Sequence, residues 1–270
     1  AKAQYAQTAS AQMQAMLSKI KRNIEDVTIL ILGDSTGDGA DRWPNQLALQ
    51  LPAMFPTHTI KYTTWNSTVY NAMTTIATGT GARTITVYNG SLSGSRTMTP
   101  GGGYWAEMVA GVPTPDLTFL NYGHNQHIIS TGWKADYLGL TEALLEEHPG
   151  TGVVMILQNP STVDDYQAKR NSVYEQIASQ RGFGTINVWQ AFIDYGPTWT
   201  TDLMADTVHP NAAGSLLWTA QVVAAMKFGR YLTPRPRNVS AVTQAGKQIA
   251  QNGDFSSWAG STLPDSWGAY

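Results

Sequence analysis

The chain has 270 residues and a mass of 29.3 kDa, which is enough for one large domain or two small ones. Its 17 Lys and Arg against 19 Asp and Glu give a net charge of −2, so binding to nucleic acid or anionic lipid through a basic surface is not expected. Cysteine is absent, which excludes disulfides, thiol nucleophiles and thiolate metal sites, and no apolar run reaches the ~18 residues of a membrane helix.

The first predicted element is a helix within residues 1–24. Met13, Met16, Leu17 and Ile20 follow i, i+3, i+4, i+7 spacing, which gives the helix one narrow apolar stripe. Two interpretations stay open for this segment. The helix packs on the domain that follows, or it connects that domain to a longer chain.

An unbroken apolar run and four similar runs then alternate with helical patterns. Such runs are typical of strands buried on both faces, and they are Val27–Leu32, Ile60–Trp65, Arg83–Asn89, Leu117–Asn121 and Val153–Gln158. The helical patterns are Trp43–Phe55, Tyr104–Ala110, Trp133–His148, Val163–Gln180 and Ala212–Phe228. The alternation predicts one α/β domain over residues 25–230, with functional loops at the carboxyl ends of the strands.

The composition changes after this domain. Residues 231–251 contain two prolines and little periodicity, so they are predicted to form a linker. Residues 252–270 are aromatic and turn-rich, and they resemble the truncated start of a carbohydrate-binding β-sandwich. The chain therefore reads as part of a larger multidomain protein.

The segment Gly33–Gly39 (GDSTGDG) directly follows the first buried strand. It satisfies the Gly-x-Ser-x-Gly pattern of a nucleophile elbow, with Ser35 as the nucleophile. A phosphate-binding loop needs a Lys that is absent after Gly39. A calcium-binding loop fits poorly because its twelfth position is Asn45, not Glu. An ordinary polar turn remains the simplest alternative.

The other end of the domain supplies a partner for Ser35. Asp206 precedes His209 by three residues in the loop that enters the last helix. One turn can bring the carboxylate to Nδ1 of the imidazole and leave Nε2 free to take a proton from a serine. Asn211, after Pro210, is predicted to cap that helix.

Two further loops follow predicted strands. The first contains Gly90 and Gly94, either of which can bring a backbone N–H close to a substrate, and the sequence leaves the choice open. The second contains His124 and Asn125, for which we predict substrate contact and oxyanion binding, respectively. His124 and His127 have a spacing seen in zinc sites, but no third ligand is near, so no metal is expected.

Together these segments resemble the SGNH, or GDSL, hydrolase family over about residues 27–228. The four conserved blocks of the family correspond, in chain order, to Gly33-Asp34-Ser35, to Gly94, to Gly123-His124-Asn125, and to Asp206 with His209. Family members often carry Asp where this chain has Gln126, so the third loop is expected to be braced differently.

The resemblance implies a flavodoxin-like, three-layer α/β/α sandwich with a five-stranded, mostly parallel sheet. It also implies ester hydrolysis without metal or cofactor. Ser35 would attack the carbonyl, His209 would act as general base and then acid, and Asp206 would orient the imidazole. The N–H groups of Ser35 and Gly94 and the side chain of Asn125 would form the oxyanion hole.

The predicted function is serine-dependent hydrolysis of acyl esters, most simply acetyl esters, on a carbohydrate or cell-wall polymer. The alternatives are a lipolytic esterase acting on longer acyl chains and a phage-tail receptor-binding module that uses the hydrolase fold. The expected partner is an acylated carbohydrate or a small ester, with neither nucleic acid binding nor membrane insertion. The predicted location is extracellular or virion-associated.

Overall fold

The central strand, β1 (Val27–Gly33), shows how the sequence produces layers. In the computed structural model, which describes residues 7–126, 132–163 and 166–229, Ile29 and Ile31 belong to one apolar core, and Leu30 and Leu32 belong to a second. Successive side chains of a strand point to opposite faces, so an unbroken apolar run needs cover on both. β1 is accordingly buried between two layers of helices.

The described residues form one sheet of seven strands. The strands are β1, β2 (Thr59–Thr64), β3 (Thr74–Ala77), β4 (Thr84–Ser91), β5 (Leu117–Asn121), β6 (Gly152–Leu157) and β7 (Gly184–Asn187). Their order across the sheet is β3-β2-β4-β1-β5-β6-β7, and only β3 runs antiparallel to its neighbour. The predicted three-layer α/β fold with a mostly parallel sheet is confirmed.

The expectation of five strands was wrong, because the sheet has seven. All five predicted apolar runs are strands, and the two additional strands, β3 and β7, have no such run. β3 is an exposed or half-exposed edge strand that pairs only with β2, so no buried face marks its sequence. β7 has four residues and passes directly into a helix, with Asn187 as its cap.

Helices cover both faces of the sheet. In the described residues they are α1 (Gln7–Arg22), α2 (Trp43–Met54), α3 (Trp133–Glu147), α4 (Tyr166–Arg181), α5 (Val188–Tyr195), α6 (Trp199–Asp202) and α7 (Ala212–Gly229). Residues of α1, α2, α5 and α7 join one core, and residues of α3 and α4 join the other. The helix predicted over Tyr104–Ala110 is instead two short, wide turns, Pro100–Tyr104 and Ala106–Ala110. Gly103, with φ +109°, interrupts the first turn.

The apolar stripe of α1 is buried. Met13 and Met16 are fully inaccessible to solvent, and Leu17 and Ile20 nearly so. The helix contacts α7, β6 and β7. It therefore lies in the same helical layer as α7.

A stacked pair of tryptophans joins α2 to α7. Trp43 begins α2, and Trp218 lies within α7; their ring centroids are 6.1 Å apart and their planes are 4° from parallel. Phe119 of β5 meets Trp43 edge-on. Such pairs add about 0.5–1.5 kcal/mol beyond their burial. The core thus fixes the two helices relative to each other.

Some sequence predictions fall beyond these residues. The predicted linker 231–251, the β-sandwich segment 252–270 and His127 lie outside the described residues. Within the described ranges, no helix has both the length and the apolar character to cross a bilayer.

Candidate active site

Four parallel strands end at the same edge of the sheet, and the residues that follow them meet there. These segments are residues 34–38 after β1, 92–95 after β4, 122–126 after β5 and 158–159 after β6. A fifth segment, residues 203–211, leads into α7. This edge is where open parallel sheets place their ligand sites.

Ser35, His209 and Asp206 form one continuous set of contacts. His209 Nε2 lies 2.8 Å from Ser35 Oγ, and His209 Nδ1 lies 2.8 Å from Asp206 Oδ2. Because Asp206 Oδ2 can only accept, the proton is assigned to Nδ1. The lone pair of Nε2 is then free to accept the hydroxyl proton of Ser35.

Asp206 is held as a carboxylate. Partial burial acts to raise its pKa, but the backbone N–H groups of His209 and Val208 and the His209 side chain outweigh that effect and lower the pKa to about 2. Those N–H groups donate to Asp206 Oδ1 at 2.7 and 2.8 Å, respectively. The carboxylate therefore keeps its charge far below neutral pH and remains available to the imidazole.

The turn that carries His209 is closed by backbone hydrogen bonds and by the helix cap. Ala205 N–H donates to the His209 carbonyl at 2.8 Å. Asn211 Oδ1 accepts the Gly214 N–H at 3.0 Å, which confirms the predicted cap of α7. A Cβ on Gly214 would lie 2.2 Å from the Leu203 carbonyl oxygen, so only glycine fits there. The Arg42 guanidinium also donates to the Pro210 carbonyl.

A buried polar network lies beneath Ser35. Asp34 Oδ1 accepts from the backbone N–H and hydroxyl of Thr36, at 3.0 and 2.7 Å. Gln158 Nε2 is 2.9 Å from Asp34 Oδ2, 3.1 Å from Thr36 Oγ1 and 3.2 Å from Asn121 Oδ1. All four side chains are inaccessible or nearly so. The backbone around Ser35 is therefore positioned by fully buried hydrogen bonds.

The predicted oxyanion donors belong to three of these segments, those that follow β1, β4 and β5. Among the described residues, no hydrogen-bond acceptor is paired with the N–H of Ser35 or of Gly94. Asn125 Nδ2 donates one hydrogen to the Ser95 carbonyl at 3.1 Å, which leaves its second hydrogen for another acceptor. All three groups therefore retain a hydrogen that can be donated to a substrate.

The structure separates the two glycines that the sequence left open. Gly90 lies inside β4 opposite Leu32, and a Cβ there would be 2.9 Å from Tyr70 Oη. Gly94 lies in the loop, with φ +78° and open space around it. The carboxylate of Asp38 accepts the backbone N–H and hydroxyl of Ser93 at 2.9 and 2.7 Å, which ties this loop to the Ser35 loop.

His124 lies half-buried at the same edge. Its backbone N–H donates to Gln158 Oε1 at 3.0 Å, and its ring Nε2 lies 3.1 Å from Asn159 Oδ1. Asn159 Nδ2 in turn donates to the Val208 carbonyl at 3.0 Å. The imidazole is therefore linked, through one amide, to the turn between Asp206 and His209.

Gln126 replaces the Asp of the family pattern and is buried. Its side-chain amide donates to Thr97 Oγ1, and its backbone carbonyl accepts from Arg170 Nη2 at 2.9 Å. Arg170 is itself fully buried within α4. The loop of Asn125 is thus braced from both sides.

Sequence reasoning did not assign a role to Gln158, Asn159 or Asp38. Gln158 and Asn159 follow the apolar run of β6, as Asp34 follows that of β1. The rule that polar residues at carboxyl ends of parallel strands gather at the site applies to them equally. In the described part of the chain, no group of three His, Asp or Glu side chains is placed to hold a metal ion.

One protein family has a sequence pattern that matches most of the residues of this domain. The GDSL-like lipase/acylhydrolase family matches residues 31–217, from β1 into α7. The chain belongs to this family. Its three-layer α/β/α arrangement is the fold expected of an SGNH hydrolase. A search of curated protein sequences gave no significant match.

Solved structures of two esterases and of a lipase/acylhydrolase share the fold. A two-domain esterase active on acetylated mannans superposes with a TM-score of 0.61 at 14% identity, over 81% of this chain and 53% of that one. An acetyl-xylooligosaccharide esterase from Geobacillus gives 0.52 at 17% identity, over 75% and 94%. A lipase/acylhydrolase from Enterococcus faecalis gives 0.55 at 15%, over 77% and 98%. The chain spans about half the length of the two-domain esterase.

Proposed function

We propose that this hydrolase removes acetyl groups from an acylated carbohydrate, with Ser35 as nucleophile, His209 as general base and acid, and Asp206 as the group that orients the imidazole. One observation carries the assignment: the 2.8 Å contacts that join Ser35 Oγ to His209 and His209 to Asp206. A nucleophile and base within hydrogen-bond reach, with the base held by a third group, is the arrangement that serine hydrolysis requires.

In the acylation step, Ser35 Oγ attacks the carbonyl carbon of the ester while its proton passes to His209 Nε2. The negative charge that develops on the carbonyl oxygen is stabilised by the N–H groups of Ser35 and Gly94 and by Asn125 Nδ2. The tetrahedral intermediate then collapses. The C–O bond to the alcohol breaks, and His209 Nε2–H protonates the departing oxygen.

In the deacylation step, water attacks the acetyl group on Ser35, and His209 Nε2 takes the proton from that water. Collapse of the second intermediate releases acetate and returns the proton to Ser35 Oγ. Asp206 stays ionised throughout, because its pKa is lowered to about 2, and it stabilises the imidazolium that forms in each step.

Three observations support a carbohydrate substrate. Charged residues make up only 13% of the chain, which suits a neutral partner better than a polyanion. Asp206 and His209 keep 55% and 30% of their side chains exposed, so the reacting groups lie at an open edge that a polymer can approach. The esterases active on acetylated mannans and on acetyl-xylooligosaccharides have this fold. An extracellular or virion-associated location remains a prediction.

The proposal is tested with p-nitrophenyl acetate, p-nitrophenyl octanoate and acetylated mannan and xylan. We expect turnover of the acetate ester above that of the octanoate, and acetate release from at least one polysaccharide. Ser35→Ala is the matched control and should retain only background rates. A preference for octanoate would favour the lipolytic alternative. Binding of polysaccharide without turnover of any ester would favour the receptor-binding module and contradict the proposal.

A further inference from the structure

A histidine that the hydrolysis steps do not use lies beside the reacting groups. The backbone N–H of His124 donates to Gln158 Oε1. The amide nitrogen of Gln158 in turn donates to Asp34, the residue before Ser35. The charges of Asp34 and His209 both act on the His124 ring. His124 therefore lies at the same edge of the sheet as Ser35 and is linked to the segment that carries Ser35.

The neighbouring amide fixes which ring nitrogen carries the proton. Asn159 Nδ2 donates to two carbonyl oxygens, those of Pro160 and Val208, at 2.9 and 3.0 Å. Because a carbonyl oxygen only accepts, the amide cannot be turned around, and its Oδ1 faces His124 Nε2 at 3.1 Å. Nε2 must therefore be the protonated nitrogen, which leaves Nδ1 with a lone pair.

That lone pair is available. Within the described residues, His124 Nδ1 has no hydrogen-bond partner and is not sealed from solvent. Burial lowers the pKa of His124, with Arg170 and His209 acting in the same direction and Asp34 and the Asn159 contact acting against it. The ring is accordingly neutral at neutral pH, and Nδ1 is a hydrogen-bond acceptor at this edge of the sheet.

We infer that His124 Nδ1 accepts a hydrogen bond from a free hydroxyl group on the alcohol part of the substrate, so that the enzyme selects partly acylated polyols and sugars. This inference rests on the proposed function. An acetyl group has no O–H or N–H to donate, so a donor that reaches Nδ1 comes from the alcohol side. A substrate without that hydroxyl loses the hydrogen bond and leaves the lone pair unpaired, which corresponds to a loss of about 10-fold in kcat/KM.

The test compares two esters that differ in one donor, 2-hydroxyethyl acetate and 2-methoxyethyl acetate. Wild-type enzyme should show a kcat/KM about 10-fold higher for the hydroxy ester, corrected for their alkaline hydrolysis rates. In His124→Phe, which keeps a ring but no nitrogen, this ratio should fall to about 1. Residual turnover of p-nitrophenyl acetate reports whether the variant is folded. If it is not, the wild-type ratio and a spectrum of the imidazole carry the test.

That spectrum is a ¹⁵N correlation of the labelled wild-type protein, which distinguishes protonated from unprotonated ring nitrogens. We expect Nε2–H and unprotonated Nδ1 for His124. Equal kcat/KM for the two esters in wild type, an unchanged preference in folded His124→Phe, or a proton on Nδ1 would each overturn the inference while ester hydrolysis stands. If wild type hydrolysed none of the three esters (2-hydroxyethyl acetate, 2-methoxyethyl acetate and p-nitrophenyl acetate), the proposed function would be overturned, and the inference with it.

Discussion

The two halves of the site are built in opposite ways. The segment of Ser35 is held by side chains that solvent does not reach, those of Asp34, Thr36, Asn121 and Gln158. His209 and Asp206, in contrast, lie on an exposed turn. The first half is positioned by hydrogen bonds that are part of the core, at the ends of central strands. The second is positioned by local backbone contacts that require no burial. Substitutions in the two halves should therefore affect different properties of the protein.

The expected energies differ for a physical reason. Removing one partner from a buried hydrogen bond leaves the other without water or protein to replace it, at a cost of about 1–3 kcal/mol. An exposed pair exchanges its partner for water and contributes little to stability. The buried half should thus report on folding, and the exposed half on the rate alone.

Asp206→Asn should give the largest effect on the rate. The amide keeps an oxygen for the N–H groups of Val208 and His209 but no longer holds the imidazole in the tautomer that frees Nε2, so kcat should fall by about 10⁴-fold. The melting temperature should change by no more than about 2 °C. Steady-state kinetics and thermal unfolding measure both. A rate within 10-fold of wild type would show that the contact between Asp206 and His209 does not serve catalysis.

Asn125→Ala should give the next largest effect. Loss of one oxyanion donor costs about 3–4 kcal/mol of transition-state stabilisation, so kcat should fall by 10²–10³-fold with little change in KM. The half-buried side chain of Asn125 also donates to the Ser95 carbonyl. We therefore expect Asn125→Ala to lower the melting temperature by more than Asp206→Asn does and by less than Gln158→Leu does. A rise in KM with unchanged kcat would assign Asn125 to substrate binding.

Gln158→Leu should mainly affect folding. The variant leaves the Asp34 carboxylate without one of its buried donors, which should cost about 2–3 kcal/mol and lower the melting temperature by about 5–10 °C. Gln180→Leu, at an exposed position of α4, is the control and should leave the melting temperature unchanged. An unchanged melting temperature for Gln158→Leu would remove the distinction between the two halves.

Much of this arrangement could be predicted from the sequence, because its signals are local. The apolar runs of β1, β5 and β6 predicted strands that are buried on both faces, and the runs of β2 and β4 predicted strands of which one face is half-exposed. Asp206 and His209 are three residues apart, so their pairing depends on a single turn. Ser35 was identified by its position directly after a buried strand.

The remainder depends on contacts between distant segments. β3 and β7 are too short or too exposed to leave a hydrophobic pattern. Gln158 meets Asp34 across 124 positions of the chain, so no spacing rule connects them. The same holds for His124 and Asn159, 35 positions apart, whose contact decides the tautomer. Gly90 is assigned to strand β4 by its pairing with Leu32 of β1, and no sequence motif shows that only Gly94 lies in the loop.

The role of Ser35 is the central claim, and covalent labelling tests it most directly. Diisopropyl fluorophosphate should transfer one phosphoryl group to the wild-type enzyme and stop ester hydrolysis in proportion. Peptide mass spectrometry should place the adduct on Ser35, and Ser35→Ala should remain unlabelled. Hydrolysis that persists in the fully treated enzyme, or an inactivating adduct on another residue, would contradict this account of the active site.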